Sequence, residues 1–267
     1  MSNPTARIAA LYRYPVKGLT PEPLDRVRLA PGETFPNDRA YAIENGPSGF
    51  DPTAPRHLPK ANFLMLMRNQ RLASLDARFD DATTTLTLRR DGHVVAEGNL
   101  ETASGRRAIE AFFDGFAADE LRGPAKVLHV PGFSFSDVAA KVVSLINLES
   151  VRDLGARLGT EVDPLRFRGN IYVEGLPAWS ELDLEGKCIR AGEVLLEGVG
   201  SIARCAATNV NPRTAERDLA IPRTLLEFYG HGDCGAYLRV VKGGELQIGA
   251  EIDFELGRQP SSARARS

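Results

Sequence analysis

Turn-forming residues divide this chain into pieces too short for most architectures. Twenty-five glycines and 17 prolines are spread through 267 residues, and the apolar runs between them have strand length and high β propensity. The first third reads as strands over Ile8–Tyr14, Leu24–Leu29 and Arg39–Ile43. Hairpins follow from Leu72–Phe79 and Thr83–Arg89 around Asp80-Asp81, and again at Asp91-Gly92. Further strands are predicted at 127–130, 142–146, 171–173, 193–196, 237–241 and 246–254, and Cys188 reads as a strand residue. Helical spacing appears three times. Thr102 or Ser104 caps a run carrying Ile109, Phe112, Phe113 and Phe116; Ser150 precedes Val151, Leu154 and Leu158, with Gly159 as the stop; Ile221-Pro222 opens a short helix ending at Gly230. The expected class is mostly β (α+β), a barrel-like sheet with a smaller N-terminal β domain and a few peripheral helices. Expected boundaries are 1–120, 121–256 and a disordered Ser/Arg/Ala-rich tail at 257–267. Residues 46–60, with four prolines and two glycines, read as a loop over a pocket.

Charge excludes two partner classes. Lys and Arg number 33 against 35 Asp and Glu, a net charge of −2. Neither nucleic acid held by counterion release nor an anionic membrane surface is expected. No apolar run spans a bilayer, and the N-terminus has no apolar signal core, so a cytoplasmic protein is expected. Three cysteines, at 188, 205 and 234, make no disulfide framework. The basic residues are 27 Arg and only 6 Lys, consistent with genomic composition or with recognition of planar anions.

Glycine-rich dinucleotide loops, phosphate loops, nucleophile elbows and zincin motifs are absent. His231 and Cys234 lie close together, but zinc needs three or four protein ligands. Cys205 stands out by its neighbours. Arg204 precedes it, and an adjacent guanidinium favours thiolate, the form that attacks electrophiles or binds a soft metal. Asn211-Pro212 turns the chain soon after, placing the sulfur near a strand end. From the residues alone, Cys205 is equally a small buried hydrophobe. Arg166 and Arg168, two apart, would share one strand face with Phe167 opposite, which is either a solvated face or a pair of forks for an anion such as phosphate. Tyr14-Pro15-Val16-Lys17-Gly18 and Asn37-Asp38-Arg39 add a cation at each of two tight turns.

The ordered set of these segments resembles the MOSC proteins, named after the C-terminal domain of molybdenum-cofactor sulfurase. The likeness is to the group with an N-terminal β-barrel domain, which includes the amidoxime-reducing components and bacterial reductases of N-hydroxylated compounds. It is carried by Tyr14-Pro15-Val16-Lys17, Asp38-Arg39, Ser150 to Leu154, Phe167-Arg168-Gly169-Asn170-Ile171, Arg204-Cys205 with Asn211-Pro212, Gly235-Ala236-Tyr237 and Ile248-Gly249. The chain departs from that pattern at Gly18, where relatives often have Ser, and at Gly169, where they have Pro. The resemblance implies that Cys205 is the protein ligand to molybdenum and the catalytic centre. It implies that Lys17, Arg39, Arg168 and Arg204 hold the phosphate and pterin of molybdenum cofactor, with Asn170 and Tyr237 lining the site. It implies a reductase of small N-hydroxylated molecules, or alternatively a non-redox carrier of the cofactor or of persulfide sulfur. Three cysteines cannot ligate a four-thiolate iron–sulfur cluster, and no ferredoxin domain is expected. Electrons are therefore expected from a separate ferredoxin-, flavodoxin- or cytochrome-like donor.

Overall fold

The computed structural model describes residues 6–253; the tail expected at 257–267 and the end of the last predicted strand lie outside them. The elements in chain order are β1 (Arg7–Arg13), β2 (Glu22–Leu24), β3 (Arg26–Leu29), β4 (Tyr41–Asn45), β5 (Asp76–Asp80), β6 (Thr85–Arg90) and β7 (His93–Asn99). Then come α1 (Ala103–Phe116), β8 (Ala125–His129), β9 (Val143–Asn147), α2 (Leu148–Leu158), β10 (Ile171–Glu174), β11 (Cys188–Ala191), β12 (Val194–Ala203), α3 (Ile221–Tyr229), β13 (Asp233–Lys242), β14 (Gly244–Gln247) and β15 (Ile252–Asp253). The protein is mostly sheet with three α-helices among the described residues. None of these helices is long and apolar enough to cross a membrane.

One eight-stranded sheet, in the order β15-β11-β12-β13-β9-β10-β1-β2, draws strands from both ends of the chain. Register shifts at Leu195/Leu196, Gly198/Gly200 and Ser201/Ala203 in the long β12 curl it into a half-barrel. A first core packs against it, with Ile8, Leu11, Leu145, Val173, Leu196 and Leu238 all nearly inaccessible. A second core is built from β4, β8, the β5-β6-β7 meander and the buried stripe of α1, including Ile43, Leu88, Ile109 and Phe113. Asp91 and Gly92, both at positive φ, make the β6–β7 turn as expected. Thr102 caps α1 by accepting from Gly105 N at 3.0 Å, and Gly159 and Gly230 end α2 and α3 in the left-handed conformation.

Three local expectations are corrected. Residues 70–74 form a 3-10 turn, so the strand begins only at Asp76. The cap of α2 is Asn147, whose Oδ1 accepts from Glu149 N at 3.1 Å; Ser150 lies buried in the first turn and donates to Glu181 instead. The segment holding Arg166 and Arg168 is a 3-10 turn over Pro164–Phe167 capped by Asp163, not a strand, so the two arginines share no strand face.

Candidate functional site

Two turns near the N-terminus are built as one unit. Tyr14 O accepts from Arg39 N at 2.7 Å, Pro15 O from Tyr41 N at 3.0 Å, and Tyr41 O from Lys17 N at 2.8 Å. Asp38 locks the pair by accepting from Tyr14 N at 2.8 Å. Arg39, expected to open a strand, sits before β4 at φ 53, and Arg168 at the end of its 3-10 turn has the same φ. A left-handed backbone costs a non-glycine residue about 1–3 kcal/mol, and such strain concentrates at functional sites. Here it brings two guanidiniums over one ring. Their carbons lie 4.5 Å (Arg39) and 4.3 Å (Arg168) from the centroid of the buried Tyr14. Arg39 Nη2 also donates to Arg168 O at 3.0 Å, and Arg168 Nη1 to Leu19 O at 2.8 Å.

The other half of the site comes from the curled sheet. Asn170 Oδ1 accepts from Ser144 N and Oγ at 3.1 and 2.9 Å, and its Nδ2 donates to Tyr12 O at 3.2 Å, tying β9 to β1. Tyr237 lies on β13, opposite Ser144 in the β9 register. Past the end of β12, Arg204 commits its nitrogens to backbone: Nε donates to Cys234 O at 2.6 Å, Nη1 to Phe167 O at 2.8 Å, and Nη2 again to Cys234 O. Cys205 then caps a 3-10 turn over Ala206–Asn209, and Thr208 fastens that turn by donating to Cys205 O through both its N–H and its hydroxyl.

All seven residues singled out in the sequence border one cleft of about 450 Å³: Lys17, Arg39, Arg168, Asn170, Arg204, Cys205 and Tyr237. Its cationic lining is Lys17, Arg39, Lys60, Arg166, Arg168 and Arg204, against Asp38 and Asp137 alone. Both carboxylates are already paired, Asp38 with Arg39 at 2.5 Å and Asp137 with Lys17 at 2.5 Å and Lys60 at 3.4 Å. Burial pushes Lys17 and Arg168 below their usual ranges, and the mutual repulsion of the cations adds to this. Lys17, Lys60 and Arg39 together hold the Asp137 carboxyl well below the carboxylate range despite its burial. Arg166 Nε is buried without an acceptor. Its Nη2 is paired with Asp218, so the positive charge left for an entering anion to offset is that of Lys17, Arg39, Lys60, Arg168 and Arg204 beyond the two lining carboxylates.

Cys205 is half-buried, whereas Cys188 and Cys234 are buried. The cation expected beside the thiol, Arg204, is spent on carbonyls; Lys60 lines the same cleft as the thiol and reaches Asp137 at 3.4 Å, and the charges of Asp137 and Cys205 hold it above the usual lysine range against the effect of burial. The pocket expected under residues 46–60 is reached only by Lys60 at the end of that loop, and Met65, Leu66 and Met67 form the adjoining wall. His231 accepts from Asp233 N at 3.2 Å, and among the described residues no three His, Cys, Asp or Glu side chains cluster as a metal site.

Residues 5–120 match the MOSC N-terminal beta barrel domain, and residues 131–253 match the MOSC domain. The chain is a MOSC-domain protein. The MOSC protein is 32 % identical over 121 residues to mitochondrial amidoxime-reducing component 1 of Danio rerio. That match takes in 42 % of this chain and 37 % of the relative. Among solved structures, the YuaD protein from Bacillus subtilis aligns over 93 % of this chain and 94 % of its own, at 12 % identity and TM-score 0.43. YiiM from Geobacillus stearothermophilus aligns over 41 % and 52 %, at 21 % identity and TM-score 0.34.

Lys60, Asp137 and the 65–67 wall were not singled out in the sequence, whereas Arg166 was, as one of a pair of anion forks with Arg168, and it does line the cleft. Lys60 opens a short 3-10 turn and Asp137 lies in a loop, neither with any periodicity, and only folding brings them to the cleft that Cys205 lines. The thiols make a direct check of the site. Burial pushes the Cys234 thiol up to about 12, and Cys188 is enclosed in β11. At pH 8 an aromatic disulfide reagent should titrate one thiol per native chain quickly, and all three only after unfolding. Rapid reaction of two or more in the folded protein contradicts the packing described.

Proposed function

We propose that this protein is a molybdenum-cofactor-dependent reductase of small N-hydroxylated compounds, supplied with electrons by a separate donor protein. The observation that carries the reading is a single reachable thiol facing a cleft floored by guanidinium and ammonium groups. The donor set suits that cofactor. Among the described residues no three His, Cys, Asp or Glu side chains gather here, and one soft sulfur fits a metal that arrives with its own sulfur ligands, as molybdenum does in a pterin dithiolene. The cation floor and the acceptorless Arg166 Nε fit its phosphate and pterin oxygens.

When bound, the cofactor supplies a two-electron redox metal able to take up the oxygen of an N–OH group. Cys205 would hold the metal at the mouth of the cleft. Lys17, Arg39 and Arg168 would hold the phosphate and pterin, with Arg204 shaping the wall through its bonds to Phe167 and Cys234. Lys60 would place a positive charge beside the sulfur, and Met65, Leu66 and Met67 would offer an apolar face to the substrate body. Overall, two electrons and two protons would turn the N-hydroxyl compound into its amine or amidine and one water. The relative's name supports this substrate class.

Protein made in a host that assembles the cofactor should carry about one molybdenum per chain, and should reduce benzamidoxime to benzamidine with reduced viologen as donor. Molybdenum without turnover supports a carrier of cofactor or sulfur in place of a reductase. Protein with neither overturns both.

A further inference from the structure

We propose that Arg217 is a positioning residue that straps the two walls of the cleft together beside Cys205, setting how wide its mouth opens. Its guanidinium reaches backbone carbonyls of two segments far apart in the chain. Nη2 donates to Leu66 O at 3.1 Å and Met67 O at 2.7 Å, and Nη1 to Ala206 O at 3.0 Å. Leu66 and Met67 form one wall of the cleft, and Cys205 and Ala207 belong to the other. Leu66 packs on the second core, whereas the Cys205 turn follows β12 of the curled sheet. Among the described residues, no other hydrogen bond joins the 65–67 turn to the 205–209 turn.

Both anchors of the strap are rigid. At the far side, Asn69 closes the turn by accepting from Met65 N at 3.0 Å, and Met65 O in turn accepts from Asn69 N at 2.8 Å. At the near side, Arg217 pairs with Val210 in a β-bridge, and Asn211 N donates to Glu216 O at 2.7 Å. The next residue, Asp218, accepts from Arg166 Nη2 through both oxygens at 2.7 and 2.8 Å. Arg166 Nη1 reaches Asn209 O at 3.1 Å, so the Cys205 turn is held from beneath by the same network. Arg217 itself is solvent-exposed, where hydrogen bonds add little net stability. A planar fork spent on carbonyls of two separate turns therefore fixes geometry more than it stabilises the fold. A lysine, with one point charge, cannot span the same three acceptors. The mouth width follows from these contacts alone; its consequence for which N-hydroxylated molecules enter rests on the reductase reading.

The test uses the full chain made without cofactor, in wild-type, Arg217→Ala and Arg217→Lys forms. Alkylation of Cys205 is timed with iodoacetamide, which is small, and with a bulky fluorescein maleimide; Cys188 and Cys234, both buried, report unfolding. Arg217→Ala should speed the maleimide by about tenfold and iodoacetamide by less than about threefold. Arg217→Lys should fall between alanine and wild type. An unchanged ratio of the two rates in a folded variant overturns the proposal. If the alanine form exposes Cys188 and Cys234, the ratio in the lysine form decides alone, and loss of fold in both overturns the proposal by making Arg217 a residue of global stability. On loaded protein, Arg217→Ala should change KM for benzamidoxime more than kcat, and should favour bulkier amidoximes. If no form reduces benzamidoxime, the reductase reading falls, while the alkylation ratio still judges the strap.

Discussion

Cys205→Ser should leave a folded protein that retains almost no molybdenum: from about one metal per chain to less than about a tenth, with benzamidoxime reduction at background. Serine has nearly the volume of cysteine, and residue 205 is half-buried at the start of a 3-10 turn whose hydrogen bonds use its backbone carbonyl, not its sulfur. Stability should therefore shift by no more than about 0.5 kcal/mol, as at other solvent-facing positions. The metal loses its one protein ligand, because a neutral hydroxyl is a hard, weak donor where a thiolate is soft and anionic. Metal analysis together with a thermal melt checks both halves. Molybdenum content equal to wild type in a folded Cys205→Ser protein would show that the sulfur is not the ligand.

Arg168→Ala should weaken cofactor retention by about 30- to 150-fold, corresponding to about 2–3 kcal/mol for one charge-assisted contact in a desolvated site. Burial disfavours the charged form of Arg168, as it does that of Lys17, and the neighbouring Arg39 disfavours it further, so an arriving anion is favoured there. Only Nη1 of its fork is committed within the protein, to Leu19 O, which leaves the rest for a ligand. The variant also loses the stack on Tyr14, and alanine inherits the left-handed backbone, so a lowered melting temperature is expected as well. Arg168→Lys should recover part of the affinity, because charge returns without the planar fork. Arg190→Ala, in β11 and outside the cleft lining, is the control and should retain cofactor like wild type. Cofactor content after gel filtration, and its dissociation on dilution, are the readouts. Equal losses at 168 and 190 would mean that the anion site lies elsewhere.

The accuracy of the sequence reading follows the range of the forces involved. Glycine and proline act within a few residues, so most turns, the cap of α1 and the ends of α2 and α3 were legible. The segment around Arg166 and Arg168 misled because an i, i+2 pattern suits a strand, whereas Pro164 and the Asp163 cap favour a 3-10 turn. Ser150 has the chemistry of a cap, but Asn147 reaches the free N–H groups first and Glu181 claims the serine hydroxyl. Lys60 carries no local signal, being a cation at the end of a loop.

The amino-acid order on its own determined the β-rich class, the breaks between short strands, and the types of side chain suited to a soft metal and an anion. These follow from backbone preferences and donor chemistry, which each residue brings with it. Tertiary structure alone decided that strands from both ends of the chain share one curled sheet, that seven scattered residues border one cleft, and that Lys60 joins them there while Arg204 is spent on backbone carbonyls. Those outcomes depend on contacts between segments more than a hundred residues apart, whose positions are set by the packing of two cores and by no local pattern.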